Sequence, residues 1–354
     1  MRRQYLSLGM RQLFRGRARS LLRAAWRTRR LRGLTRRGRP AGGPLFASLV
    51  VNYTCNLACS FCRAWHSADG VRAGEPISRE ELDLALDDLA RLGCLGVGIT
   101  GGEPLLRKDL GRIVAAIRER GMLVHVNTNG TLLDEARARE LIVEGVDSFN
   151  VSVDSADSDV HDALRGRKGA HAGALRGISA LLRARGGGRS PRVVIVSVVD
   201  AATDLDALMA CAADSGVDGI GFIPRHAFGE EAHSLATQEE ARTLVGNLLD
   251  WRARSSLIDN SAAYLGLFDA AVLGRPHDLV CHAGAGHVVF DMHGAVFPCM
   301  PFNEADRPFG NLHETRLRDL WNSPEHRGVV AETSRCRACY WNCHTEMNLL
   351  VEGR

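Results

Sequence analysis

Three cysteines, Cys55, Cys59 and Cys62, sit in the run Asn52-Tyr-Thr-Cys-Asn-Leu-Ala-Cys-Ser-Phe-Cys-Arg, with three residues in the first gap and two in the second. Thiolates bind zinc or iron–sulfur clusters. Zinc sites usually show paired Cys-x-x-Cys elements that add up to four ligands; here there are three, with no fourth nearby. A cubane iron–sulfur cluster held by three thiolates keeps one iron without a protein ligand, and that open iron can bind a small molecule. The spacing therefore points to a reaction centre. A disulfide framework fits poorly, because 10 Cys in 354 residues is not scaffold density and the N-terminus lacks the apolar core of a secretory signal. A zinc knuckle would leave the third cysteine unexplained.

The elements that must hold this loop follow from periodicity. Apolar strand-like runs at Phe46–Val51, Leu95–Thr100, Leu123–Asn127, Ser148–Val153, Arg192–Val199 and Gly219–Ile223 alternate with amphipathic stretches. Those stretches lie at Arg79–Leu92, Asp109–Arg120, Asp134–Glu144, Ala172–Arg185 and Leu205–Asp214. Ser78 with Glu81 three residues on, and Asp134, mark helix starts. Six β–α repeats of this length predict an α/β fold with a parallel sheet. Periodicity alone leaves open whether the sheet winds as an open sheet or as a partial barrel. In both, ligands bind at the carboxyl ends of the strands, where the cysteine run lies. Thr237–Arg254 reads as a helix leading away from the repeats, and a domain boundary falls near residues 256–278.

A second motif, Thr100-Gly-Gly-Glu-Pro-Leu-Leu, stands on the same rim. Gly101 and Gly102 let the backbone approach a ligand closely, Glu103 suits a cationic amine, and Pro104 fixes the turn. Taken alone this is an ordinary βα turn. The cysteine run with Phe61 before its last cysteine, this motif, Asn127-Thr-Asn-Gly-Thr and Val151-Ser-Val-Asp-Ser with His161-Asp-Ala-Leu-Arg-Gly occur together. In that combination the chain resembles the radical S-adenosylmethionine (SAM) superfamily over about residues 45–225.

The resemblance implies a partial (β/α)6 barrel of the TIM type. It implies that Cys55, Cys59 and Cys62 hold a 4Fe–4S cluster whose open iron is chelated by SAM, and that an electron from the cluster cleaves SAM to methionine and a 5′-deoxyadenosyl radical. By the same resemblance, Glu103 with the Gly101-Gly102 backbone and the Pro104 turn holds the methionine amine, and Phe61 lies against the adenine. Thr128, Asn129, Ser152 and Arg165 meet the ribose or carboxylate, and Ile223 touches the adenine; plain barrel-rim structure is the alternative for each of these.

Five more cysteines close the chain. Cys281 and Cys299 form Cys-x12-Gly-x4-Cys around Gly294, and Cys336, Cys339 and Cys343 follow with gaps of two and three. Such thiolates suit zinc or an iron–sulfur cluster. Between the first pair, Val288–Phe297 reads as a hairpin with Gly294 at the turn. The arrangement resembles the SPASM/Twitch auxiliary-cluster domains of radical SAM enzymes, but five cysteines depart from the seven of a full SPASM pattern. That implies one auxiliary 4Fe–4S cluster on Cys281, Cys299, Cys336 and Cys339, with Cys343 replacing one of them or staying free. Asp291, His293, Asn303 and Glu304 are candidates for a base or a substrate contact, with none singled out. Cys94 and Cys211 read as small core residues. The resulting organisation is a basic extension at 1–44, a barrel at 45–230, a helical connector at 231–278 and a small Cys-rich domain at 279–354.

The net charge of +4 hides an asymmetry: residues 1–44 hold 14 Arg and no acid, which leaves −10 on the rest. Only Lys108 and Lys168 are lysine, so the arginines reflect coding bias rather than phosphate recognition. In the extension, Leu6, Met10, Leu13, Phe14, Leu21, Leu22 and Ala25 share a helical face, while Gly9, Gly16 and Gly33 weaken a long helix. A solvated extension, contact with an anionic membrane surface and capture of an acidic partner such as a leader peptide all fit; a transit peptide shares the composition. Nucleic acid is not an expected partner, because the acidic body repels phosphate. With no apolar run of membrane-spanning length, the expected location is cytoplasmic, at the membrane periphery if the extension touches lipid.

These readings converge on a SAM-dependent oxidoreductase that takes hydrogen from a substrate, passes an electron to the auxiliary cluster and draws electrons from a flavodoxin- or ferredoxin-type donor. The substrate is either a ribosomally made peptide or a small polar natural product such as an aminocyclitol. Residues 1–44 are too short and too rich in Arg and Gly for a winged-helix peptide-recognition domain. A cluster- or zinc-binding interaction protein without radical chemistry is the alternative, and the intact cysteine run and Gly-Gly-Glu-Pro speak against it.

Overall fold

The computed structural model describes residues 18–40, 42–62, 74–225 and 235–354. Helix α1 (Ala18–Thr35) precedes six strands with helices between them. These are β1 (Phe46–Val50) and α2 (Arg79–Leu92), β2 (Gly96–Thr100) and α3 (Leu110–Glu119), then β3 (Leu123–Thr128) and α4 (Glu135–Glu144). They continue with β4 (Ser148–Ser152), followed by α5 (Ser158–Arg165) and α6 (Ala170–Arg185), then β5 (Arg192–Val199), α7 (Leu205–Asp214) and β6 (Gly219–Pro224). All six strands run parallel in sequence order and do not close, as the partial barrel requires.

Each strand alternates between two faces. Leu49, Ile99, Val126, Phe149 and Ile195 turn outward and are buried in one core with Leu86, Leu89, Ile113 and Ile117 of the surrounding helices. The other face looks into the barrel and is polar. There Ser48, His125, Asn127 and Asn150 are half-buried; His125 bonds Ser148 (2.6 Å) and Asn127 (3.1 Å), and Asn150 donates to Asn127 (3.0 Å). The capping box of Ser78 and Glu81 starts α2, and the Asp134 side chain starts α4.

Beyond β6 come α8 (Gln238–Arg254), α9 (Ala262–Leu265) and α10 (Phe268–Val272). This connector is stitched to the barrel: Ile258 bridges Ile220, and the Asn260 side chain bonds both the N–H and the C=O of Phe222, which covers the β6 edge. The C-terminal part adds β7 (His287–Asp291), β8 (Ala295–Phe297), α11 (Met300–Glu304), β9 (Gly310–Asn311), α12 (Leu317–Leu320), α13 (Pro324–Thr333) and α14 (Asn342–Glu352).

Three features differ from the sequence reading. The Cys-rich part is small but not a separate sheet. Strand β7 pairs parallel with β1 from Phe46↔His287 to Val50↔Asp291, and the hairpin β7–β8, turning at Gly294 (φ 79°), extends the barrel sheet. Second, α1 runs straight through Gly33 and docks. Leu31 packs on Ala285, Met347 and Val351, Thr35 bonds His282 at 3.0 Å, and Arg32 and Arg36 pair with Glu352. So this part of the basic segment belongs to the fold; the apolar face expected at Leu6, Met10, Leu13 and Phe14, and the side chains of Leu21, Leu22 and Ala25 that continue it, lie outside what the structure describes. Third, α5 is a helix of eight residues, too short for periodicity to reveal, and it starts where Asp157 accepts from the amides of Asp159 and Val160.

Candidate active site

The cysteine loop leaves β1 and is clamped from both sides. On one side the end of α5 binds it through backbone: Ala58 N donates to Arg165 O (3.2 Å) and Ser60 N to Leu164 O (3.0 Å). Gly166, at φ 66°, lies so close that a Cβ there would stand 2.2 Å from Ala58 O. On the other side, Gly102 N donates to Asn52 O (2.9 Å) and Glu103 N to Thr54 O (2.8 Å). A Cβ on Gly102 would meet Thr54 O at 2.1 Å, so the two motifs can lie together only because this residue has no side chain.

Between these clamps Cys59 is buried and Cys55 and Cys62 half-buried, packed with Leu57, Phe61 and Ala170. Burial raises the thiol pKa of Cys55, and Glu103, Cys59 and Cys62 raise it further. Burial also raises that of Cys59, against the pull of Arg165. Three thiols grouped on one short, clamped loop form a pocket suited to a metal centre, which takes up the thiolate charge.

Glu103 is buried beside this loop. Its Oε1 accepts from Leu105 N (3.0 Å) and the Thr128 hydroxyl (2.7 Å), and its Oε2 from Asn129 N (2.8 Å). Burial raises its pKa and these donors pull it back. All three donors are neutral, so the carboxylate is oriented without being neutralised and suits a cationic ligand. Thr128 and Asn129, expected at a ribose or carboxylate, are engaged here with Glu103. The Asn129 amide also donates to Asn56 (2.8 Å) and lies 4.0 Å from Cys55 Sγ.

Arg165 is tied to Asp154 through Nε (2.6 Å) and Nη2 (2.8 Å). Its Nη1 lies 3.8 Å from Cys59 Sγ, and its guanidinium stands 5.2 Å from the centre of the Phe61 ring. Pro104 is buried at the start of a short 3-10 turn, and Ser152 and Ile223 are half-buried at the carboxyl ends of β4 and β6.

The five C-terminal cysteines gather in a second pocket. Cys281, Cys299 and Cys339 are buried, Cys343 is half-buried and Cys336 is exposed. Burial pushes Cys281 up to about 12 and Cys343 to about 11, and Cys299 and Cys339 well above their usual range. Cys336 adds to the rise at Cys281; Cys281, Cys336 and Cys343 add to it at Cys299, and Cys281, Cys299 and Cys343 at Cys339. All five are thus near neighbours. A set made of thiolates alone suits zinc or an iron–sulfur cluster. Cys94 is buried in the core, as expected, whereas Cys211 is only half-buried on α7.

One residue ties the cysteine loop to the C-terminal segment. The Tyr53 phenol donates to Asp291 Oδ2 (2.6 Å), accepts from Asn303 Nδ2 (2.8 Å), and its ring stacks on His293. Asp291 is buried on β7, its Oδ1 accepting from the amides of His293 and Ala295. Three of the four polar candidates, Asp291 and His293 on the hairpin and Asn303 on α11, thus meet at one point, while Glu304 lies half-buried on α11. Tyr53 and Asp154 are the residues that sequence reasoning missed, although both sit inside motifs already singled out.

Residues 49–199 match the model of the radical SAM superfamily, and residues 281–344 match that of SPASM, an iron–sulfur cluster-binding domain. Fe-coproporphyrin III synthase of Methanosarcina barkeri is 40% identical over 124 residues, 35% of this chain and only 30% of that protein. PqqA peptide cyclase of Granulibacter bethesdensis is 26% identical over 84% of this chain and 79% of its own length. The solved structure of SuiB from Streptococcus suis, bound to precursor peptide SuiA, superposes with TM-score 0.64 at 18% identity, over 86% of this chain and 70% of that one. That likeness bears out the open parallel-sheet α/β fold.

Proposed function

We propose that this chain, which carries a radical SAM domain followed by a SPASM iron–sulfur domain, is an oxidoreductase that takes hydrogen from a peptide substrate and passes the remaining electron to an auxiliary cluster. When bound, the 4Fe–4S cluster and SAM supply the 5′-deoxyadenosyl radical that abstracts the hydrogen atom. Cys55, Cys59 and Cys62 hold the cluster and leave its fourth iron open. Glu103, fixed by Leu105, Thr128 and Asn129, receives the SAM ammonium. Gly101, Gly102 and Pro104 shape that approach, with Phe61, Ser152 and Ile223 around the adenosyl group. Cys281, Cys299 and Cys339, with Cys336 or Cys343, hold one auxiliary 4Fe–4S cluster. Asp291, oriented by Tyr53 of the cysteine loop, accepts a proton from the substrate at Oδ2.

The observation that carries this reading is the buried Glu103 carboxylate, held by three neutral donors beside Cys55. The peptide is favoured over a small polar product by a relative that aligns along most of the chain, a peptide cyclase. Reduction needs an external flavodoxin- or ferredoxin-type donor. The outward arginines of α1 (Arg29 and Arg30) and of the turn after it (Arg37 and Arg39), with exposed Trp26, suit an anionic membrane surface, which co-flotation with phosphatidylserine vesicles would test.

The central test is anaerobic reconstitution, reduction by dithionite and addition of SAM. 5′-Deoxyadenosine forms slowly, and Cys59→Ala abolishes it; continued formation by the triple Cys55, Cys59 and Cys62 to Ala variant would end the proposal. That triple variant retains about four irons on the auxiliary site; zinc without iron there would refute the second cluster.

A further inference from the structure

We propose that the buried Asp154–Arg165 pair sets the reduction potential of the cysteine-triad cluster, with Arg165 raising it and Asp154 opposing it, so that Arg165 acts on the cluster rather than as a contact for SAM. The inference rests on the proposed function in one respect, that the triad holds a redox-active cluster.

The geometry leaves Arg165 little else to do. A guanidinium offers a planar fork of donors. Nε and Nη2 are both committed to Asp154, at 2.6 and 2.8 Å, and the remaining Nη1 reaches Cys59 Sγ at 3.8 Å. The ring of Phe61 lies against the same guanidinium. Asp154 is fixed in turn: its Oδ1 accepts from Val198 N (2.9 Å), and its own N–H donates to His161 Nδ1 (3.1 Å). The pair is almost wholly out of water, with side chains 10% and 0% exposed. Charges at such a place are weakly screened and act strongly on neighbours.

The direction follows from electrostatics. Reducing the cluster by one electron adds a negative charge to a centre already bearing three thiolates. A cation beside one of those thiolates favours the reduced form, and a hydrogen bond to the ligand sulfur works the same way. Asp154, on the far side of the guanidinium, offsets part of that effect. The two members of one ion pair should therefore shift the potential in opposite directions. A residue that merely braces the loop would not do this, and the bracing here is backbone, from Ala58 N to Arg165 O.

The test is a mediated redox titration of the anaerobically reconstituted full chain, without SAM, followed by EPR. The triad signal is identified as the one that SAM perturbs in a parallel sample. Arg165→Gln is expected to move the midpoint to more negative potential, Asp154→Asn to less negative potential, and Arg165→Lys to lie between Arg165→Gln and the unmodified chain. Shifts of the same sign, or none, would overturn the proposal, as would an Arg165→Gln variant that only weakens SAM binding. If Arg165→Gln fails to hold iron, Asp154→Asn and Arg165→Lys decide: an unmoved midpoint in both, or iron loss in both, reduces the pair to a structural role. An unmodified chain without any SAM-responsive cluster fails the functional proposal itself, a different result from unshifted variants.

Discussion

The Tyr53 phenol and the Asp291 carboxylate are 2.6 Å apart, although one residue belongs to the cysteine loop and the other to the C-terminal hairpin. Parallel pairing of β1 with β7 brings them together, since Val50 lies in register with Asp291. If Asp291 is the proton acceptor, Asp291→Asn lowers product formation by about 100-fold or more, the usual weight of a general base. SAM cleavage without substrate stays within about threefold. Tyr53→Phe, which removes only the donor, has a smaller effect of the same kind. Product and 5′-deoxyadenosine measured together check this; equal loss of both would assign the pair to cluster assembly.

Glu103→Gln keeps the shape of the side chain and removes its charge. Whichever oxygen becomes the amide nitrogen then faces a donor, Leu105 and Thr128 on one side or Asn129 N on the other. SAM binding weakens by about 2–5 kcal/mol, roughly 30-fold at least, from loss of a buried charge pair. Iron content at the triad holds. Equilibrium dialysis with labelled SAM, beside an iron assay, separates these outcomes.

Much of this architecture is legible in the sequence because it is local. The six barrel strands declare themselves within five to eight residues each, and the triad reads from its spacing, while Gly-Gly-Glu-Pro gains its meaning only beside the triad. What stays hidden depends on partners far along the chain. Nothing near His287–Asp291 says that it will lie beside Phe46–Val50 rather than in a sheet of its own. Asp154 sits in a recognised run, yet a lone aspartate does not announce which arginine it will hold. Gly33 was a misleading breaker. It is exposed, with nothing within 4 Å of a Cβ, so its cost is only the helix propensity of about 1 kcal/mol. Burial of Leu31 beside it offsets that cost.

Gly102→Ala and Gly98→Ala make a paired test of the clamp. The added methyl at Gly102 would stand 2.1 Å from Thr54 O and 2.4 Å from Thr54 C, both backbone atoms that cannot move without shifting the cysteine loop. At Gly98 the nearest atoms are 3.9 Å away. Gly102→Ala therefore loses iron from the triad, whereas Gly98→Ala retains it and stays within about 0.5 kcal/mol of the original stability. Iron per chain and thermal unfolding report both results.

A surface link between α2 and the turn after β9 gives a pH signature. The Ser78 cap first, and the His313 ring after it, hold the Glu81 carboxyl down to about 2 from 4.5, and Glu81 in turn raises His313 above 6.5. Glu81 contributes stability above pH 4.5 that is lost as pH falls toward 2. His313 contributes stability that is complete below 6.5 and is lost as pH rises through its raised value. Both operate between about pH 4.5 and 6.5. The pair is partly solvated, so the effect is below about 1 kcal/mol. His313→Gln should flatten the decline in Tm between pH 6 and 8; an unchanged decline would assign it to other groups.

Helix α1 should matter to the auxiliary site rather than to the barrel. Glu352 is an acceptor, so the His282 nitrogen facing it at 3.2 Å carries the proton, and the other ring nitrogen accepts from the Thr35 hydroxyl at 3.0 Å. His282 directly follows Cys281 on a fully buried stretch. Thr35→Val leaves that nitrogen without a donor, at a cost of about 1–3 kcal/mol. Leu31→Ala removes a side chain only 2% exposed and costs about 2–5 kcal/mol. Both variants should release iron from the auxiliary cluster faster under a chelator, and both should speed amide exchange over residues 281–287. Arg30→Ala, on the outer face, is the control and should do neither. Cluster retention that ignores Thr35 and Leu31 would mean that α1 rests on the C-terminal segment without supporting it.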